Sequence, residues 1–262
     1  MLSTSPERGA CYYAGVMTEG LKIHLAPDVL GHFAGIPVTN TLVTAVVVSA
    51  LLILGGFFIG RNLKLIPGKG QVFIETLIEY PYSFVRQTLD QNDKLVKWVF
   101  PLVLTIFIFV LSANWFGLFP FVGSLGFQSD HGFTSLFYPV NTDLNVTLAL
   151  SIIAFFAIEI AGIITLGALR YGSKFVNFKS PLAFAVGIIE LFSELARLIS
   201  FSFRLFGNIF AGKVLILVAM LFVPYLLPVP LLGFELFVGF IQAAIFALLT
   251  LFFVKIAITA PH

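Results

Sequence analysis

The sequence predicts an all-α integral membrane protein: five hydrophobic segments, the last two forming a long, strongly tilted helical hairpin, plus an amphipathic helix at the membrane surface. Composition is the first reason. Of 262 residues 59% are hydrophobic and 11% charged, and mean hydropathy is +1.02, against ~45–50% apolar and ~25% charged in a soluble domain. The second is the presence of long uncharged runs such as 41–60, which at ~1.5 Å per residue cross a ~30 Å hydrocarbon core. The third is that the loop charges gather between these runs in an alternating pattern.

Residues 1–40 carry Glu7, Arg8, Glu19, Lys22 and Asp28 and lack a continuous apolar core. This argues against a cleavable signal peptide and predicts a polar tail on the outer side. Residues 41–262 are expected to form a single membrane domain with spans at about 41–60, 99–119, 144–169, 182–222 and 231–259. Between the first two, Val72, Phe73, Leu77 and Ile78 alternate with Glu75, Glu79 and Arg86, the pattern of a surface helix, with an interruption expected at Pro81. The third span carries Glu159 in its apolar interior, where lining a channel is slightly favoured over an unexplained buried acid. The fourth, about forty residues, would be ~60 Å long as a helix and must tilt or bend.

Loops 61–98 and 170–180 hold the loop Lys and Arg, while 121–142 and 221–233 hold none. By the positive-inside rule the N-terminus is outside and the C-terminus cytoplasmic. A net charge of +2, with basic residues scattered in loops, excludes nucleic acid as a partner. One cysteine, Cys11, permits no internal disulfide and no thiolate metal site, so no cofactor or metal is expected. His24 and His131 stand in polar segments and read as ordinary surface residues.

The fourth segment is unusual because it contains Glu190, Glu194, Arg197, Arg204 and Lys213. A mid-membrane Arg costs ~2.5–3.5 kcal/mol even on the most lenient insertion scale, so it is a functional hypothesis by default. Ser200, Arg204 and Asn208 are spaced four apart and share one helix face. Glu194 and Arg197, three apart, are placed to neutralise each other. Folding the last two segments about VPYLLPVP brings Gln242 opposite Arg204 and Glu235 opposite Lys213. Gln242 could then orient the guanidinium and Glu235 neutralise the ammonium.

RLFGNIFAG at 204–212, preceded by ELFSELARLISFSF and followed by IQAAIFALLT at 241–250, closely resembles subunit a of the F-type ATP synthase. GIPVTNT at 35–41, GQVFIE at 70–75, the stretch from Asn114 to Pro120 and DLNVT at 143–147 extend the resemblance over most of the chain. It implies a non-catalytic membrane stator that conducts protons to and from a rotating c-ring. The implied partners are that ring, the b subunits of the peripheral stalk and the lipid bilayer. The family's essential arginine falls on Arg204, its asparagine on Asn208 and its glutamine on Gln242. Members commonly pair a carboxylate or histidine at the position of Lys213 with a histidine or carboxylate at that of Glu235, and a proline usually stands where Leu198 is.

Glu235, Lys213, Asn114 and Asp143 fall toward the outer side and are expected to line an outer half-channel. Glu190 and Glu194, with Arg197, fall toward the cytoplasmic end and fit an inner one. The polar N-terminal stretch, without a transit peptide, points to a bacterial plasma membrane. A self-contained secondary ion transporter or channel is the alternative; it would need a midplane site built from broken helices. The chain has no HExxH, nucleophile elbow or phosphate loop, which leaves nucleotide chemistry to other chains.

Overall fold

The computed structural model describes residues 27–33, 35–119, 121–129, 132–173, 175, 181–223 and 226–259. Most of the expected tail, and His24 and His131, lie outside these residues. What is described of the tail is ordered: β1 (Val29–Phe33) and β2 (Ile36–Thr39) form an antiparallel hairpin that runs directly into the first span. That span is α1 (Asn40–Arg61), with Thr39 as N-cap, its side chain accepting from the Leu42 amide at 3.3 Å. A second small hairpin, β3 (Gly126–Ser129) with β4 (Gly132–Ser135), occupies the loop after the second span. Among the described residues four short strands thus accompany the helices, at loops where alternation is too brief to read from sequence.

The surface helix, α2 (Lys69–Thr88), runs through Pro81 rather than stopping there. Proline removes one amide donor, and the carbonyl left over belongs to Leu77, which is exposed. The second span, α3 (Asp93–Phe116), starts earlier than expected because Asn92 caps it through the Leu95 amide. Val96, Val99, Val103, Ile106 and Val110 alternate three and four apart on α3 and are buried, one continuous packing stripe.

A short 3₁₀ turn, Val140–Thr142, precedes α4 (Leu144–Leu166). Helix α4 ends at Gly167, whose φ of +83 favours glycine, and a one-turn helix α5 (Ala168–Gly172) follows. The last two spans are α6 (Pro181–Phe222), 42 residues, and α7 (Pro228–Ile258), 31 residues. Helix α6 is continuous and measures about 63 Å at ~1.5 Å per residue, twice a ~30 Å hydrocarbon core. Helix α7 begins with Pro228 and Pro230 in its first turn, where a missing amide costs nothing.

Among the described residues, five helices are long and apolar enough to cross a membrane. Helix α7 packs along α3, α4 and α6, using small residues Ala243, Ala247 and Ala257 between Phe246, Leu251 and Val254. Small side chains let helices approach where lipid offers no hydrophobic drive for association. At the end of α7, Lys255 forms an ion pair with Asp90 in the turn between α2 and α3, and Arg86 meets Asp93 at 3.3 Å beside it.

Candidate functional site

Helix α6 has two unlike faces. Phe201, Ser202, Leu205 and Ile209 are buried. The Ser202 hydroxyl lies 3.1 Å from that of Thr147 on α4, and the Phe201 ring packs 5.0 Å from Phe246 and 5.5 Å from Phe253 on α7. Ser200 and Asn208 are exposed and Arg204 is half-buried, so the polar strip that helical spacing defines turns outward from the bundle. Arg204 Nη2 donates to Ser200 Oγ at 3.4 Å. Among the described residues no carboxylate is in ion-pair contact with Arg204.

The hairpin register follows from two contacts. Phe201 meets Phe246, and the Glu235 carboxylate lies against Gly212; both pairs centre between residues 223 and 224. Gln242 is buried on α7 at the level of Arg204, with no hydrogen bond between the two side chains. Glu235 therefore faces Gly212, not Lys213 as the sequence suggested. A Cβ at residue 212 would come closer than 3.0 Å to all three carboxylate atoms, so only glycine leaves this space. Lys213, one residue on, is rotated ~100° around the helix and places Nζ 3.2 Å from the centroid of the Tyr138 ring. A cation over an aromatic face is attracted by the ring quadrupole. Burial, and then the charge of Asp28, push the Tyr138 phenol above its ordinary range, so the ring stays neutral at physiological pH.

Around this end of the bundle polar side chains link the helices. Asn114 Nδ2 donates to the Gly239 carbonyl at 3.1 Å, one turn beyond Glu235, and its Oδ1 accepts from Asn141 at 2.6 Å. Asp143 caps α4 by accepting from the Asn145 amide at 2.9 Å and takes the Thr41 hydroxyl at 2.7 Å. Asn40 donates to the Ser135 carbonyl at 3.4 Å and to Asp28 at 3.5 Å. Asn114, Asp143, Lys213 and Glu235 thus lie at the same end of the helices, as the topology implied.

At the opposite end Arg197 Nη1 donates to Glu194 Oε2 at 2.6 Å, and the guanidinium lies 4.0 Å above the Phe253 ring. Glu194 is 3% exposed; Glu190, one turn earlier, is half-buried. Tyr171 on α5 is buried here as well, its ring laid against Gly162 of α4. Burial first, then the charge of Glu159, hold the Tyr171 phenol above its ordinary range, with Glu194 adding to and Arg197 opposing the effect. Glu159 is thus not isolated, as its span alone suggested.

Sequence reading missed Tyr138, Thr41, Asn141 and Tyr171. Asn141 and Thr142 form a polar run ahead of Asp143 that could have pointed to the capped turn. Tyr138 and Tyr171 leave no local signal, because their partners come from distant helices. Among the described residues, no group of three or more His, Cys, Asp and Glu side chains could hold a metal ion.

Among the described residues, five apolar spans, a polar cluster at each end and the outward-facing Arg204 between them define a multi-pass α-helical membrane protein. The family model described as ATP synthase A chain matches residues 41–255. ATP synthase subunit a of Gloeobacter violaceus is 40% identical over 220 residues, 84% of this chain and 83% of the relative. That of Mycobacterium marinum is 32% identical over 247 residues, 90% of this chain and 95% of the relative. That of Moorella thermoacetica is 31% identical over 231 residues, 88% and 96% respectively. The chain belongs to the ATP synthase A chain family, a family of membrane subunits for ATP synthesis and proton transport.

Proposed function

We propose that this chain is the proton-translocating stator subunit of a rotary ATP synthase, and that Arg204 separates two offset half-channels that open onto a c-ring. The observation that carries this reading is the outward Arg204, hydrogen-bonded to Ser200 and in ion-pair contact with no carboxylate among the described residues. A permanent cation at mid-depth is too costly to keep without a counter-charge, and the exposed face on which it stands leaves that charge to come from another chain. A ring carboxyl arriving within ~4–6 Å would have its pKa lowered by ~1–3 and give up its proton. Arginine suits this because a pKa above ~12 prevents it from carrying protons itself.

The two polar ends supply the half-channels in this reading. Asn114, Asp143, Lys213 and Glu235 line the outer one; Glu190 and Glu194 line the inner one, with Arg197 holding Glu194. Gln242, at the level of Arg204, and Asn208, one turn along its face, orient the guanidinium and the ring carboxyl. Because the ends are separated along α6, a proton crosses only by travelling with the ring. Nucleotide chemistry belongs to other subunits of the complex. The N-terminus lies outside, the C-terminus in the cytoplasm, and the membrane is a bacterial plasma membrane.

Purification tests the assignment. Co-isolation with a ring of small helical hairpins, and proton flux in vesicles only when both are present, is the expected result. Ion flux from this chain alone would overturn it in favour of a self-contained transporter.

A further inference from the structure

Two asparagines at the Glu235 end of the bundle are buried with half of each amide unused. Asn141 in the 3₁₀ turn is 1% exposed and Asn40 at the start of α1 is 0% exposed. The network around them fixes which way each amide points. Asn114 presents its nitrogen to the Gly239 carbonyl at 3.1 Å, so its oxygen faces Asn141 and accepts from the Asn141 nitrogen at 2.6 Å. Asn40 donates through its nitrogen to the Ser135 carbonyl at 3.4 Å and to the Asp28 carboxylate at 3.5 Å. The Oδ1 atoms of Asn40 and Asn141 are therefore acceptors, and neither has a donor among the described residues. A buried acceptor without a donor is costly, and water supplies the missing hydrogen where the surroundings are polar.

The two acceptors stand on one route. The 3₁₀ turn that carries Asn141 packs against α1, α3, α4 and α6. Thr41, beside Asn40, donates to Asp143 at 2.7 Å, two residues past Asn141. Thr44, one turn along α1, donates to the Asn40 carbonyl at 2.9 Å and accepts from the Tyr138 amide at 3.1 Å, and the Tyr138 ring carries the Lys213 ammonium. On the inner side, Asn114 leads to Gly239, one turn from Glu235 on α7. On the outer side, Asp28 is half-buried just before β1. The apolar stripe of α3 bounds the route: Val110, one turn before Asn114, is 0% exposed.

We propose that Asn40 and Asn141 are water-positioning residues of the outer half-channel, and that they mark a hydrated track running from Asp28 at its mouth to Glu235. The proposal rests on the reading of the chain as a proton-conducting stator. An amide neither takes up nor releases a proton at physiological pH, so these residues act by holding water. A hydronium at the mouth passes one proton to the next water and becomes water itself. The last water of the row gives a proton to the Glu235 carboxylate, and the neutral acid passes it to an ionised ring carboxyl and becomes carboxylate again. Each O–H bond broken is matched by one formed, and nothing is oxidised or reduced. The negative charge of Asp28 raises the local concentration of hydronium where the track opens.

The test uses the complete ATP synthase carrying Cys11→Ser, in vesicles whose outer face meets the medium. Asn40→Cys, Asn141→Cys and Val110→Cys are each treated with silver ion, which reacts with thiolate, the form that apolar burial suppresses. Silver added outside is expected to abolish most of the passive proton flux in both asparagine variants and none of it in Val110→Cys. Asp28→Asn, which keeps an acceptor for Asn40 and removes the charge, should lower flux by up to about tenfold at low salt and by less as salt screens the charge. Silver without effect on either asparagine variant at normal complex content would overturn the proposal. So would equal inhibition of Val110→Cys, or inhibition from the cytoplasmic side alone; wild-type flux in Asp28→Asn at low salt would overturn the role of Asp28. Should cysteine at either asparagine prevent assembly, the wild-type complex decides. A density map that resolves water is expected to show it within ~3.2 Å of both Oδ1 atoms, and dry amides at both would overturn the proposal. Proton flux through this chain without a ring would instead overturn the stator reading and leave the hydrated track in place.

Discussion

Substituting Gly212 by alanine separates the stability of the hairpin from its use. A Cβ there would come closer than 3.0 Å to the Glu235 carboxylate carbon and both of its oxygens, whereas unstrained heavy atoms rest ~3.5–4.0 Å apart. The carboxylate must therefore move by about 1–2 Å. It is the end of a flexible side chain, so a rotamer adjustment costing ~0.5–1.5 kcal/mol suffices. Alanine also returns ~1 kcal/mol of helix propensity relative to glycine. The two effects nearly cancel, and assembly and thermal stability should change by less than about 1 kcal/mol. Function should not be spared, since a ~1 Å misplacement of a reacting group can cost ~10²-fold. ATP-driven acidification of inverted vesicles, followed with a pH-sensitive dye, is expected to fall about tenfold or more in Gly212→Ala. Gly233→Ala, on α7 where an added Cβ meets nothing within 4 Å, should pump as wild type. Wild-type pumping in Gly212→Ala at normal complex content would refute the reasoning, because Glu235 would then work as well after displacement.

Three further outcomes follow from the contacts. Asp143→Ala removes the cap of α4 and the acceptor of the Thr41 hydroxyl; a loss of ~1–3 kcal/mol, read as a lower melting temperature in detergent, is expected. Gly162→Ala drives a methyl into the Tyr171 ring, 2.8 Å from Cζ; a planar ring cannot fold away, so destabilisation of ~1–3 kcal/mol is expected in the same measurement. Tyr138→Phe keeps the face beneath Lys213 and should leave pumping unchanged, whereas Tyr138→Leu should lower it. Because the folded chain holds the Tyr138 proton above the ordinary phenol value, its contribution to stability is complete below about pH 10 and lost as pH rises further. An alkaline absorbance titration of wild type against Tyr138→Phe reads that one phenol.

The spans were legible because lipid imposes a simple rule: each must be long, apolar and helical. Runs such as 41–60 and 182–222 satisfy it without reference to the rest of the chain, and the observed α1 and α6 bounds fall within one residue of them. Local capping moved other ends: Asn92 began α3 early, and Gly167 stopped α4 three residues short of Leu169. The hairpin of α6 on α7 was legible to within a residue, from the proline-rich link and from polar residues that needed partners. That one-residue difference decides the site, since it sets Glu235 against Gly212 and turns Lys213 to Tyr138. Side-chain direction changes by ~100° per residue, so a register correct to a turn does not specify a pair. Glu159 looked isolated because its neighbour Tyr171 reaches it from α5, and no periodicity within α4 could announce it.

Arg204 is where the account is most exposed to a single measurement. ATP-driven proton pumping in vesicles carrying Arg204→Ala or Arg204→Lys, at wild-type complex content, tests whether a permanent cation must stand between the two polar ends. Loss of pumping in Arg204→Ala and impaired, leaky pumping in Arg204→Lys are predicted. Wild-type pumping in both would contradict it.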